Sequence, residues 1–218
     1  MRRKLSSAGD GTPLSLRDTS PTWEITSREN QNKEDIMRVI TGSARGRALE
    51  TLKGDDIVRP TTDKVKEAVF SSIQFELEGR DFIDVFAGSG QMGIEALSRG
   101  AKSAVFLDSS RKAAQVIERN LKVTNLQQFG TVIIADSISY LKNTDREFDI
   151  AFLDPPYNKG ILQEIMPIIA QRMKKTGVII CESALNDKIL QKYYKFTLDR
   201  ERTYGKIRVS TFRHEDFI

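Results

Sequence analysis

Four consecutive residues, Asp154-Pro155-Pro156-Tyr157, join a carboxylate, two rigid backbone rings and an aromatic side chain directly after the apolar run Phe148 to Leu153. This set suits chemistry at an amine attached to a planar ring. Such a nitrogen is a poor nucleophile because its lone pair is delocalised, and it needs acceptors for its hydrogens. The Asp154 carboxylate offers one acceptor and the Pro155 carbonyl another, holding the nitrogen in line for attack and favouring the pyramidal geometry it must reach. The prolines fix the backbone and remove competing N–H donors, while Tyr157 presents a face on which a base can stack. Taken alone the tetrapeptide reads first as a rigid turn. Its place in the chain, one strand and helix after a set of acidic and glycine-rich positions, gives the chemical reading its weight.

Those positions begin with Asp84-Val85-Phe86-Ala87-Gly88-Ser89-Gly90-Gln91-Met92-Gly93, which follows a strand pattern and opens a helix. In an open α/β sheet, ligands bind at such strand-to-helix turns. Gly88 and Gly90 allow backbone to approach a ligand closely, and Gly93 allows a helix to pack tightly on a strand. Asp108 ends the next strand and is placed to accept hydrogen bonds from ribose hydroxyls. The glycines also spell G-x-G-x-x-G, the dinucleotide fingerprint, so a nucleotide-dependent oxidoreductase stays open on spacing alone. Asp84 discriminates. A carboxylate beside the glycine turn repels a pyrophosphate but favours the amino group and sulfonium of S-adenosylmethionine. Asp136, ending the third strand, can accept a hydrogen bond from an adenine amine.

Short β-branched runs alternate with amphipathic stretches, the pattern of a doubly wound, mostly parallel α/β sheet. Strands are expected over Asp81 to Phe86, Ser103 to Leu107, Thr131 to Ala135, Phe148 to Leu153 and Gly177 to Glu182. Helices are expected over Met92 to Ser98, Arg111 to Val123, Ile161 to Met173 and Ala184 to Lys192, with another after Thr61, Thr62 and Asp63 carrying Val65, Ala68, Val69, Ser72 and Ile73. Tyr194 to Leu198 and Lys206 to Phe212 lack a helix between them and are expected to close the sheet as an antiparallel pair around Tyr204-Gly205. Arg38-Val39-Ile40 is a short strand candidate.

Residues 1–36 are rich in Ser, Thr, Asn, Gly and Pro and read as a flexible extension. Residues 37–60 read as a small basic lobe, and residues 61–218 as the cofactor-binding and catalytic core of one domain. The formal charge of +4 permits a nucleic-acid partner without requiring one. Residues 1–36 carry as many acidic as basic side chains, so the excess lies in the folded part. Arg38, Arg45, Arg47 and Arg59, with Lys53, cluster ahead of the core and could neutralise phosphates around a target base; Lys206, Arg208 and Arg213 are weaker candidates. The lone Cys181 sits in an apolar run and reads as a buried strand thiol, and His214 reads as exposed. No Cys and His cluster suggests a metal. No apolar run reaches the ~18 residues of a membrane span and the N-terminus lacks a signal core, so a cytoplasmic address is expected.

Together these residues resemble the RsmD family, which methylates the N2 amine of a guanine in 16S ribosomal RNA. The likeness runs from Met37 to the C-terminus. It rests on Arg38-Val39-Ile40-Thr41-Gly42 with Gly46-Arg47, on Arg59-Pro60-Thr61-Thr62-Asp63-Lys64-Val65-Lys66-Glu67-Ala68, on Asp84 to Gly100 with Glu95-Ala96-Leu97-Ser98-Arg99-Gly100, on Phe152 to Tyr157, and on Tyr204-Gly205. It implies a Rossmann-like class I methyltransferase sheet, S-adenosylmethionine as cofactor, and 16S ribosomal RNA as partner, within a small ribosomal subunit or its assembly intermediate; no obligate protein partner and no membrane are implied. Target-pocket roles carry over to Asp154, Pro155 and Tyr157, and cofactor roles to Asp84, Gly88, Gly90, Asp108 and Asp136. Asp108 stands where relatives often have Glu, a shorter carboxylate able to serve the same hydrogen bonds. Without the resemblance the chemistry stops at an exocyclic amine, and adenine N6 in DNA or RNA remains the alternative to guanine N2.

Overall fold

A computed structural model of the chain describes residues 37–52 and 63–217. Eight strands form one sheet: β1 (Asp81–Asp84), β2 (Ser103–Asp108), β3 (Gly130–Ile134), β4 (Phe148–Leu153), β5 (Met173–Ala184), β6 (Lys192–Tyr193), β7 (Phe196–Tyr204) and β8 (Ile207–His214). Their spatial order is β3-β2-β1-β4-β5-β8-β7-β6. The first five are parallel; β8 runs antiparallel to β5, and β7 to β8. The helices are α1 (Asp63–Ser72), α2 (Gln91–Ser98), α3 (Arg111–Thr124), α4 (Ser137–Asn143) and α5 (Ile161–Ile169).

Successive strand residues point to opposite faces, and each face carries its own core. Phe82, Ala104, Phe106, Ile150 and Phe152 pack against α1, α2 and α3 through Phe70, Ile94 and Ile117, and this cluster also takes in Val39, Ala44 and Leu49 of the N-terminal lobe. Ile83, Val105, Leu107, Ala151 and Leu153 pack on the other face against Leu141 of α4 and Ile165 and Ile169 of α5. Each large apolar side chain so buried contributes about 1.5–3 kcal/mol. Gly93 shows why α2 lies so close to the sheet: a Cβ there would stand 2.3 Å from Phe106 Cε1.

Several expectations needed correction. No helix forms over Ala184 to Lys192. Instead β5 continues to Ala184, because seven residue pairs from Val178↔Arg213 to Ala184↔Ile207 bond it to β8. The helix starting at Ile161 stops at Ile169, and a 3-10 turn over Ala170–Arg172 hands the chain to β5 at Met173. Helix α4 was not anticipated; it is a seven-residue element capped by Asp136, too short to show helical periodicity. The hairpin is longer than its sequence pattern suggested, with β7 from Phe196 to Tyr204, although it does turn at Gly205 (φ 62°). Arg38 makes a single bridge to Ala48 rather than a strand. His214 is buried, not exposed: its Nδ1 accepts the Asp216 amide at 3.2 Å and its ring meets Phe196 edge-on at 5.7 Å. Cys181 is buried as expected, and burial pushes its thiol up to about 12. Among the described residues no helix is long and apolar enough to cross a membrane.

Candidate active site

The parallel strands deliver carboxylates to one edge of the sheet in spatial order: Asp136 after β3, Asp108 on β2, Asp84 on β1, Asp154 after β4 and Glu182 near the end of β5. This edge holds the carboxyl ends of the strands, where open α/β sheets bind ligands. The pairing Asp84↔Phe152 places the end of β1 beside the Asp154 turn, and the Val85 amide donates to the Phe152 carbonyl at 3.0 Å.

Asp84 is buried, and its Oδ2 accepts the Gly93 amide at 3.1 Å. Burial pushes its carboxyl up to about 7; the Gly93 bond opposes this and the nearby Asp108 charge adds to it. A buried carboxylate so poised is stabilised by an arriving cation. The turn beyond it is shaped by Gly88 (φ 53°) and Gly90 (φ 78°), whose left-handed conformations suit glycine. Among the described residues nothing fills the space where a Gly88 side chain would stand, so backbone there can approach a ligand. At Gly90 that space belongs to Ile117 and Phe106, 3.1–3.3 Å away, so this glycine serves the turn and the packing of α3 rather than an open cleft. Asp108 accepts the Gly88 amide on Oδ2 at 2.9 Å and the Ser110 amide on Oδ1 at 2.8 Å, and each oxygen retains a second lone pair for a hydroxyl. Asp136 is exposed and caps α4 by accepting the Ser139 amide at 2.8 Å, which holds its carboxyl below the usual value.

On the β4 side, Asp154 is half-buried and Pro155 buried. Tyr157 keeps 37% of its surface exposed, yet its hydroxyl donates to the buried Glu182 Oε1 at 2.6 Å. Burial, the Asp154 charge and the Glu182 bond all raise the phenol above its ordinary value. The turn is tied down further along, where the Asn158 amide donates to Asp187 Oδ1 at 3.1 Å.

The N-terminal lobe is fastened to the glycine-loop side by side chains whose types and spacing did not point to this task. Glu95, buried on α2, accepts the Ile40 and Thr41 amides at 2.7 and 2.9 Å and the Arg99 guanidinium at 2.8 Å. Ser98 Oγ accepts the Ala44 amide and donates to the Thr41 carbonyl. Asn120 Nδ2 donates to the Glu50 and Ser89 carbonyls, both at 2.9 Å, linking the lobe to the glycine loop. A polar residue on the buried face of an amphipathic helix, beside Ile117 and Leu121, was the available signal for Asn120. Glu182 had a similar one, a charge closing an apolar strand. Arg38, Arg45 and Arg47 are exposed on the lobe, and among the described residues none makes an ion pair. Arg59 and Lys53 lie outside the described residues. Arg213 is committed to Glu76 at 2.7 and 2.8 Å and to Asp199, and Arg208 bonds Ser183, so both act within the fold.

The family model described as conserved hypothetical protein 95 matches residues 37–213. The Haemophilus influenzae protein named ribosomal RNA small subunit methyltransferase D is 32% identical over 182 residues, covering 81% of this chain and 93% of its own. The chain belongs to the RsmD family. Among other relatives of this RsmD-family chain, Bacillus subtilis YlbH is 36% identical over 182 residues, covering 81% of this chain and 98% of its own. The solved structure of Escherichia coli YhhF superposes with a TM-score of 0.74 at 29% identity, covering 82% of this chain and 97% of that one. The sheet described above is the class I methyltransferase sheet, with mostly parallel strands and an antiparallel C-terminal pair.

Proposed function

We propose that this RsmD-family enzyme transfers a methyl group from S-adenosylmethionine to the exocyclic N2 amine of a guanine in 16S ribosomal RNA, acting in the cytoplasm on a small ribosomal subunit or its assembly intermediate. The observation that carries the reading is the adjacency of two acidic positions: the buried Asp84 on β1 and the Asp154-Pro155-Pro156-Tyr157 turn that follows the neighbouring β4. The ribosomal RNA assignment draws on the relatives that bear the name small subunit methyltransferase D.

The residues present fit the cofactor. The buried Asp84 carboxyl, up at about 7, suits a cationic ligand, the open space at Gly88 admits one close to backbone, and Asp108 keeps acceptor capacity for ribose hydroxyls. Asp84 would hold the amino group, Asp108 the ribose and Asp136 the adenine amine, with Gly88 and Gly90 shaping the turn. S-adenosylmethionine supplies an electrophilic methyl on a sulfonium.

This chain's own part is positioning and charge. Asp154 and the Pro155 carbonyl accept the hydrogens of the target amine, aligning its nitrogen and favouring pyramidal geometry. Deprotonation before attack is unnecessary, because the nitrogen becomes acidic only as the new bond forms. Tyr157 stacks on the base, with its ring edge fixed through the hydroxyl. The basic segment 37–60 precedes the catalytic core in sequence, and Arg38, Arg45, Arg47 and Arg59 neutralise phosphates beside an unpaired or flipped base.

The test is incubation with labelled S-adenosylmethionine and small ribosomal subunits from cells lacking this activity, followed by digestion and nucleoside identification. N2-methylguanosine is the expected product. N6-methyladenosine would keep the chemistry and replace the base, and the absence of label from both subunits and free 16S RNA would overturn the reading.

A further inference from the structure

The proposed chemistry uses Asp154, Pro155 and Tyr157 but leaves Glu182 without a task. Glu182 is 1% exposed, on β5 between Cys181 and Ser183, which are themselves fully buried. A carboxylate so placed is costly to bury and needs a partner that rewards its charge. It accepts the Tyr157 hydroxyl at 2.6 Å. The ring at the other end of that bond is partly open to solvent. The pairing Leu153↔Cys181 brings Glu182 beside the Asp154 turn that follows β4, so the phenol meets two carboxylates, one on β5 and one just past β4.

We infer that Glu182 is a positioning residue: it fixes the Tyr157 ring as a stacking platform and takes the phenol's single hydrogen, so that this hydrogen does not compete with the target amine for Asp154. The inference rests on the proposed amine methylation. Two consequences follow from the geometry. A ring anchored at its hydroxyl by a buried group has its plane set before the base arrives, which lowers the ordering cost of stacking. A phenol has one hydrogen to donate, and the Glu182 carboxylate is a better acceptor than a neutral amide. Replacing Glu182 with Gln offers the phenol oxygen an N–H donor and frees its hydrogen to turn toward Asp154.

Glu182→Gln keeps the volume of the buried side chain, and Tyr157→Phe keeps the ring, so the two variants and their double combination form a cycle. With small ribosomal subunits as substrate, each single variant is expected to lower kcat at least tenfold while leaving S-adenosylmethionine affinity within twofold. The double variant is expected to match the worse single one, because the role assigned to Glu182 runs through the Tyr157 hydroxyl. Additive losses, or unchanged kcat in Glu182→Gln, would overturn the role. A second readout does not depend on turnover. In the full chain with 13C-labelled tyrosine rings, the resonance that disappears in Tyr157→Phe is expected to be the one displaced in Glu182→Gln; a resonance that stays put would overturn the anchoring itself. Wild-type protein that labels no RNA would defeat the proposed function, while the ring resonance still decides whether Glu182 holds Tyr157.

Discussion

The Asp84 carboxylate accepts the amide hydrogen of Gly93 at 3.1 Å, so the last residue of β1 is bonded into the first turn of α2 while buried from water. Asn at this position retains an acceptor for that amide but not the charge. The fold favours the protonated acid, since its pKa is raised from 3.8 to about 7. Its contribution to the unliganded protein is therefore full below about pH 4 and is lost as pH rises through 7, on the order of 4 kcal/mol. Asp84→Asn is expected to raise the melting temperature of the cofactor-free protein at pH 8 by several degrees and to weaken S-adenosylmethionine binding at least tenfold. In the wild type, calorimetric affinity should strengthen between pH 6 and 8; a flat profile would remove Asp84 from the cofactor site.

On the proposed chemistry, Asp154→Ala removes an acceptor needed only as the amine reacts. Turnover should fall by about 10²-fold or more, with S-adenosylmethionine affinity within twofold. Single-turnover methylation beside equilibrium binding separates the two effects, and equal loss in both would mean that Asp154 supports the pocket rather than the reaction.

Gly42 has φ 88°, and a Cβ there would stand 1.8 Å from the Ser98 carbonyl oxygen. Backbone cannot yield as a flexible side chain can, so Gly42→Ala should cost a few kcal/mol. The loss should concentrate in the lobe, seen as earlier proteolytic cleavage within residues 37–52 and weaker RNA binding. Gly46→Ala is the control: its φ is 80°, but among the described residues beyond its chain neighbours no atom lies within 4 Å of the added carbon, so the milder loss expected there isolates the close approach at Gly42.

Arg45 and Arg47 stand exposed on the lobe and, among the described residues, make no ion pair. If they meet phosphates, replacing both with Ala should weaken RNA binding evenly across sequences. The plot of log affinity against log salt should become shallower, by about 1 for each phosphate that is no longer neutralised. An unchanged slope would place the RNA elsewhere on the surface. Cofactor affinity should not move.

Much of this was legible because the information is local. The parallel core is written in alternating apolar runs, and Asp84, Asp108, Asp136 and Asp154 each close or follow such a run, so strand order alone sends them to one edge. Gly93 was readable for a similar reason: a glycine in the first turn of a helix after a strand implies close packing, and Phe106 occupies the space. Element ends were less readable where the competing conformations have similar local preferences. Ala184 to Lys192 carries apolar residues at helical spacing, but the ladder to β8 holds Ala184 extended, and that partner lies more than twenty residues away in sequence.

What the sequence determined by itself was the class of sheet, the acidic edge and the Asp-Pro-Pro-Tyr turn at that edge, because each depends on residue type and short spacing. What only the tertiary structure decided was how those parts are held. Glu95 and Asn120 clamp a lobe more than fifty residues upstream, His214 is enclosed by Phe196 and Phe217, and Glu182 reaches the phenol of Tyr157. These are pairings between distant segments, and a polar residue carries no local mark of the partner that burial will give it. Hydrophobic periodicity decides which face turns inward; the packed chain then decides which buried polar groups meet.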